Sequence, residues 1–166
     1  MTWQAFNWSC DPTAIPAGFA QGSDHSIWAL DNYSFVQVVD PSVVAGSCYG
    51  PLVVANLNHI DGPGNDGNVW ATLGFADLVS IDLAGTSVDV TTPPVNFDQF
   101  VCGPDGRLWQ GHAGSPNVYV YDPTSNTFAT YSVGTGNGNF VIEVIGRPGD
   151  PGSPFLGIGM KQMLCQ

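Results

Sequence analysis

Asp105-Gly106-Arg107-Leu108-Trp109, followed by Val118-Tyr119-Val120-Tyr121-Asp122-Pro123, decides the fold. Asp-Gly is a hairpin signal: Gly accepts positive φ, and Asp bonds its own backbone. The apolar residue and Trp after it begin a strand, and the alternation of residues 118–121 reads as the next one. Asp122 to Asn126 is a turn, and Thr127 to Val133 is a further strand. The same pattern occurs twice more. Asp24-His25-Ser26-Ile27-Trp28 precedes Phe35 to Pro41, and Asp66-Gly67-Asn68-Val69-Trp70 precedes Leu78 to Asp82. The tryptophans stand 42 and 39 residues apart, and the later Asp follows its Trp by 12, 12 and 13 residues.

A short strand precedes each Asp-Gly-type turn: Phe19 to Gln21, Val53 to Leu57 and Gln99 to Cys102. Each unit of about 40 residues then holds four short strands with tight connections, the period and content of a β-propeller blade. A fourth, degenerate unit has strands at Asn139 to Ile145, Pro154 to Gly159 and Lys161 to Cys165, with Phe155 in the Trp position. It lacks a last strand. Thr2 to Trp8 is expected to supply it and close the ring, bringing Cys10 near Cys165, where a disulfide would lock the seam. The expected fold is all-β: one small four-bladed propeller over 1–166, with repeats near 16–48, 52–92, 98–134 and 138–166 plus 2–9. The alternative is an open arc of four blades that pairs with a second copy.

Composition narrows the function. The chain has 166 residues and a net charge of -11, with three Lys plus Arg and 14 Asp plus Glu. Such a surface repels phosphate backbones and anionic membranes, so nucleic-acid binding is not expected. The 43% apolar content is enough to bury a core, so disorder is not expected. No run of about 18 apolar residues occurs, so no membrane-spanning helix is expected. The first residues lack a secretory signal pattern, which points to cytoplasmic synthesis. Cys10, Cys48, Cys102 and Cys165 lack metal-finger spacing; buried thiols and disulfides both remain open.

The units resemble blades of the streptogramin-lyase-like and SMP-30/NHL-like propellers. The resemblance rests on Asp-Gly-Arg-Leu-Trp at 105–109, Val-Tyr-Val-Tyr-Asp-Pro at 118–123 and the Thr-Ser-Asn-Thr-Phe turn at 124–128. It covers about three-quarters of the chain at blade level. Members generally have five to seven blades, where four are read here. The resemblance implies a lyase site of His and Glu with a divalent metal. Glu143 is the only Glu, on the innermost strand of the fourth unit, and no family motif maps onto it residue by residue.

Among candidate chemical groups, His25 is read in a first turn, His59 after the first strand of unit two, and His112 at the end of a second strand on the opposite rim. They do not converge. Asp61, Asn65, Asp66 and Asn68 offer oxygens, and Asp61 and Asp66 would anchor a Ca²⁺ there. The loop lacks the EF-hand spacing, and Asp and Asn also favour turns for local reasons. No cofactor is expected. Asp40, Asp82 and Asp122 read as turn caps. Trp28, Trp70 and Trp109 read as wedges between blades. Aromatics outside the repeat are the binding candidates: Asp31, Asn32 and Tyr33, then Tyr49, Phe75, His112 and Asn117, all assigned to one rim. Aromatic faces with Asn and Asp suit a sugar or a protein surface.

The expectation is a non-enzymatic interaction or structural module. Low Lys, low Glu and abundant Gly, Asn and Thr match the composition of bacteriophage virion proteins, such as minor tail or decoration proteins. The partners expected are proteins of a larger assembly or a surface glycan, with a homo-oligomer left open. The alternatives are a small metal-assisted lyase or hydrolase, tested by changing Glu143 or His59, and a cytosolic-type lectin.

Overall fold

The computed structural model describes residues 16–31, 36–39, 47–49, 57–74, 76–85, 88–111, 115–132, 142–144 and 158–160. Every regular element among them is a β-strand. No described helix is long and apolar enough to cross a membrane. Blade one contains β1 (Pro16–Gln21), β2 (Ile27–Asp31), β3 (Val36–Val39) and β4 (Ser47–Tyr49), paired in that order. Blade two contains β5 (Leu57–Asp61), β6 (Val69–Leu73), β7 (Asp77–Ile81) and β8 (Val88–Thr91). Blade three contains β9 (Val101–Cys102), β10 (Leu108–Gly111), β11 (Asn117–Asp122) and β12 (Thr127–Ser132). All are antiparallel meanders. In the fourth unit β13 (Ile142–Val144) pairs with β14 (Ile158–Met160).

The Asp-bearing turn has one geometry in all three blades. The Asp Oδ1 accepts the backbone N–H two residues on: Ser26 at 3.0 Å, Asn68 at 3.1 Å and Arg107 at 3.1 Å. The next residue takes positive φ: His25 at 68°, Gly67 at 84° and Gly106 at 71°. A glycine two residues before each Asp closes the turn. Gly22, Gly64 and Gly103 donate to the carbonyls of Ser26, Asn68 and Arg107 at 2.8, 2.9 and 2.8 Å. A Cβ on Gly64 would fall 2.6 Å from Asp66 Oδ1 and 2.7 Å from Trp70 Nε1. One on Gly103 would fall 2.7 Å from Asp105 Oδ1 and 2.9 Å from Trp109 Nε1. Glycine there leaves the room in which the indole and the carboxylate sit together.

Trp28, Trp70 and Trp109 are buried, at 0%, 3% and 3% exposure. Trp28 and Trp70 fill the wedge ahead of their own blades, as the repeat reading expects, while Trp109 packs with Val101, Val118 and Val120 of its own blade. Trp28 and Leu30 pack on Ile60, Val69, Ala71, Val79 and Ile81 of blade two. Trp70 and Leu78 pack on Phe97, Phe100, Leu108 and Tyr121. The Trp70 ring meets Tyr121 edge-on at 5.3 Å.

Strand limits depart from the sequence reading in places. Of the expected Val53 to Leu57, all but Leu57 lie outside the described residues; among the described residues the first strand of unit two is Leu57–Asp61. Its apolar side chains Leu57 and Ile60 are buried, and Asp61 pairs with Trp70. Pairing with β6, counted back from the turn, sets this register. His59 is therefore inside the strand and not after it. β1 begins earlier than expected, at Pro16, and β9 is only two residues long. Closure by Thr2 to Trp8, the strand expected at Lys161 to Cys165, and the Cys10–Cys165 seam lie outside the described residues.

Candidate functional site

A blade has two ends. One carries the β1–β2, β5–β6 and β9–β10 turns; the other carries the loops between second and third strands and the links between blades. The turn end is a chain of inter-blade ties. Ser23 Oγ of blade one donates to the Gly67 carbonyl at 3.0 Å, and Asn65 N of blade two donates to the Gly106 carbonyl at 2.9 Å. Asn65 Nδ2 donates to Asp122 Oδ1 at 3.0 Å, and its Oδ1 accepts from Thr124 N at 3.1 Å. Asp122 also caps Thr124 and Ser125 N–H, which bears out its reading as a turn cap. Arg107 Nε lies 3.4 Å from Asp122 Oδ2 and 3.7 Å from Asp105 Oδ2. The Asn65 amide, helped by the two backbone donors and Arg107, holds the Asp122 carboxyl below its ordinary range. Hydrogen bonds from Ser26, side chain first, do the same for Asp24.

The proposed Ca²⁺ oxygens are already engaged. Asp61 Oδ1 accepts from Gly62 N at 2.9 Å and Oδ2 from Cys102 N of the next blade at 2.8 Å. Asp66 Oδ1 accepts from Asn68 N and, at 3.2 Å, from Trp70 Nε1; Oδ2 accepts from Asn68 Nδ2. Asp61 is a strand-end tie between blades, and Asp66 fixes its own turn and its tryptophan. Among the described residues no three His, Cys, Asp or Glu side chains gather into a metal-holding group. Burial, reinforced by the charges of Asp61, Asp66 and Asp105, pushes the Cys102 thiol far up from its ordinary pKa.

The loop end carries the candidate binding residues. Asp31 ends β2, Tyr49 ends β4 opposite Val36, and Asn117 begins β11 opposite Ser132. The strand directions put all three backbone positions at this one end. Asn32, Tyr33, Phe75 and His112 lie outside the described residues. Beside Asn117, the Ser115 hydroxyl accepts its N–H at 3.1 Å and lies 3.4 Å from the Tyr119 hydroxyl.

Sequence reading missed a polar group at this end. Gln110, buried at 1% exposure, donates through Nε2 to the Asn96 carbonyl at 2.9 Å and to Asp98 Oδ1 at 2.8 Å. Both partners are acceptors, so the amide orientation is settled, and Oε1 is a buried acceptor without a partner among the described residues. Asn96, Asp98 and Gln99 beside it are exposed. The residues follow two prolines in the link between blades two and three, and no repeat spacing marks them.

His59 Nε2 lies 2.7 Å from the Phe100 carbonyl, and its ring meets Phe100 edge-on at 5.0 Å. Blade two is thereby tied to the entry of blade three. His25 sits exposed in the turn at the opposite end. Glu143 is in β13, as the sequence placed it.

No family model matches the chain, and no curated protein matches it. Solved structures do. A streptogramin B lyase aligns over 79% of this chain and 45% of its own length, with 20% identity and a TM-score of 0.60. An inactive variant of virginiamycin B lyase from Staphylococcus aureus, determined with quinupristin, gives 79% and 45%, 17% identity and 0.62. A chain of the nidogen/laminin complex gives 72% and 48%, 12% identity and 0.58. The chain spans less than half the length of each. Identity this low carries architecture and not activity. Three antiparallel four-stranded blades, tryptophan wedges and these alignments together give the chain a streptogramin-lyase-like β-propeller fold.

Proposed function

We propose that the chain is a non-enzymatic propeller module that uses its loop end to dock on a larger assembly, with a surface glycan as the other ligand of that end. The observation that carries this reading is His59. The one histidine described on an innermost strand holds blade to blade through Phe100, so its imidazole serves the framework. Rigid blades then present loops, and the loop end gathers Asp31, Tyr49 and Asn117 with exposed Asn96 and Asp98. Polar groups on a rigid frame lose little entropy on binding. One solved structure of this fold is a chain in a complex between two proteins, nidogen and laminin. The virion setting rests on composition: few Lys, one Glu and abundant Gly and Asn.

The test is retention of the purified chain on phage particles, and on a glycan array, with Tyr33, Phe75 and His112 changed together to Ala. Retention should fall at least about tenfold, the loss of about 1.4 kcal/mol of contact, with an unchanged melting curve. Unchanged retention would remove the loop end as the docking surface. The rival lyase reading predicts metal-dependent turnover of quinupristin, the compound in one of the similar structures, that disappears in Glu143→Gln; observing it would overturn the proposal.

A further inference from the structure

The link from Thr92 to Gln99 leaves β8 for blade three, and it is pinned from both sides. Phe97 anchors it: the ring is fully buried among Trp70, Leu78 and Tyr121 and meets Phe128 edge-on at 6.1 Å. From blade three, Gln110 Nε2 donates to the Asn96 carbonyl and to Asp98 Oδ1. From blade two, the Thr72 hydroxyl reaches the Asp98 carbonyl at 3.5 Å, and His59 holds the Phe100 carbonyl at 2.7 Å. Within the link, Gln99 N–H donates to Asp98 Oδ1 at 3.0 Å. The backbone is thus fixed while Asn96, Asp98 and Gln99 stay exposed at the loop end.

We infer that Asp98 and Gln110 together receive an arginine side chain of the docking partner, an inference that rests on docking at the loop end and names its chemistry. Asp98 Oδ1 takes both donors just described, whereas Oδ2 takes none among the described residues. Gln110 Oε1 is buried and takes none either among the described residues. The width of an amide keeps it within about 5 Å of Asp98 Oδ1. Two neighbouring acceptors without donors call for a ligand built of N–H groups. Charge selects a cation. The chain carries -11, and the one Lys or Arg among the described residues, Arg107, is paired with Asp105 and Asp122 at the turn end. Geometry then selects guanidinium over ammonium. Its donors fan out in a rigid plane that meets a carboxylate oxygen and an amide oxygen together, and it is the more weakly hydrated cation, which suits an acceptor shut away from water. The side chains of Asn96 and Gln99 hold no hydrogen bond among the described residues, so they turn aside to admit it. Gln110 also acts as a positioning residue, because its Nε2 orients Asp98 before the partner arrives.

The test titrates the isotope-labelled full chain with a tetra-arginine peptide and with its neutral tetra-citrulline counterpart, followed by the Gln110 side-chain amide resonances. Those resonances should shift and saturate with the arginine peptide, at least about tenfold more tightly than with citrulline, and the affinity should fall as salt is added. Asp98→Asn keeps an oxygen for Gln110 Nε2 but removes the charge. It should weaken binding about fivefold to tenfold with an unchanged melting curve. Asp89→Asn, on the exposed part of β8, makes the same change in net charge and should leave the affinity within about twofold. Absence of a saturable shift would overturn the inference. Equal weakening by Asp98→Asn and Asp89→Asn would also overturn it, in favour of diffuse attraction to an acidic surface. A tetra-lysine peptide that binds as tightly would overturn the choice of guanidinium. The titration needs no particle, so the two readings fail separately: particle retention that ignores the loop end, beside Asp98-dependent peptide binding, removes only loop-end docking, and the reverse removes only the arginine site.

Discussion

Gly106→Ala isolates what one tie between blades contributes. Gly106 has φ of +71°, and a Cβ there would run into the backbone of Asn65 on the preceding blade, 2.7 Å from its Cα and 2.8 Å from its Cβ. None of these atoms is the end of a flexible side chain, so the blades must separate or the turn must move. The same shift stretches the 2.9 Å bond from Asn65 N to the Gly106 carbonyl. Gly74→Ala is the matched control, since Gly74 also has positive φ, +61°, with nothing within 4 Å of its Cβ position. The control carries only the left-handed backbone cost, about 1–2 kcal/mol. Gly106→Ala adds the loss of one hydrogen bond, about 1 kcal/mol, and overpacking of about 1–3 kcal/mol. The expected total is about 3–6 kcal/mol, against about 1–2 for the control. Urea unfolding followed by tryptophan fluorescence gives both values from one preparation. Equal destabilisation by the two substitutions would show that the blades do not bear on each other at Gly106.

Two other outcomes follow from the carboxylates and the thiol. Asp24 and Asp122 have folded pKa values below the ordinary aspartate value of 3.8, so they bind fewer protons folded than unfolded near that pH. Their contribution is complete above that ordinary value and is lost as pH falls through the lowered folded value. Melting temperature should drop in that acid window and hold steady above it, and Asp122→Asn should flatten part of the drop; an unchanged profile in that variant would refute the assignment. In a chain whose other cysteines are changed to Ser, Cys102 should resist alkylation at pH 8 and react on unfolding, because its thiolate is suppressed by burial and by three carboxylates. Rapid labelling of the native chain would contradict that placement.

The turn geometry was legible in the chain because its causes lie within seven residues. Asp66 bonds Asn68 N and reaches Trp70, and Gly67 supplies the positive φ, so the spacing of Asp, Gly and Trp already encodes the hairpin. Gly64 belongs to the same motif, and its recurrence at Gly22 and Gly103 was a signal available in the letters. The tryptophans were legible as wedges because only a large ring at a repeated position fills the space between twisted sheets. The register of β5 was not. The apolar run Val53 to Leu57 read as the strand, whereas pairing with β6 runs through Leu57 to Asp61 and takes in His59.

The candidate site divides in the same way. Composition and turn signals located loops bearing Asp31, Tyr49 and Asn117, since the direction of successive strands assigns every such loop to one end. The bonds of His59 to Phe100, Asp61 to Cys102 and Asn65 to Asp122 join residues 41, 41 and 57 positions apart. Local pattern carries no trace of such pairs, because which donor meets which carboxylate depends on how adjacent blades are offset. The chain by itself determined a repeated unit of four antiparallel strands, since hairpins and alternation are short-range effects of φ, ψ and side-chain period. Only the packed blades decided that His59, Asp61 and Asn65 are ties between sheets, and that Gln110 is buried, because burial belongs to the assembled interface and not to a residue's own neighbours in the chain.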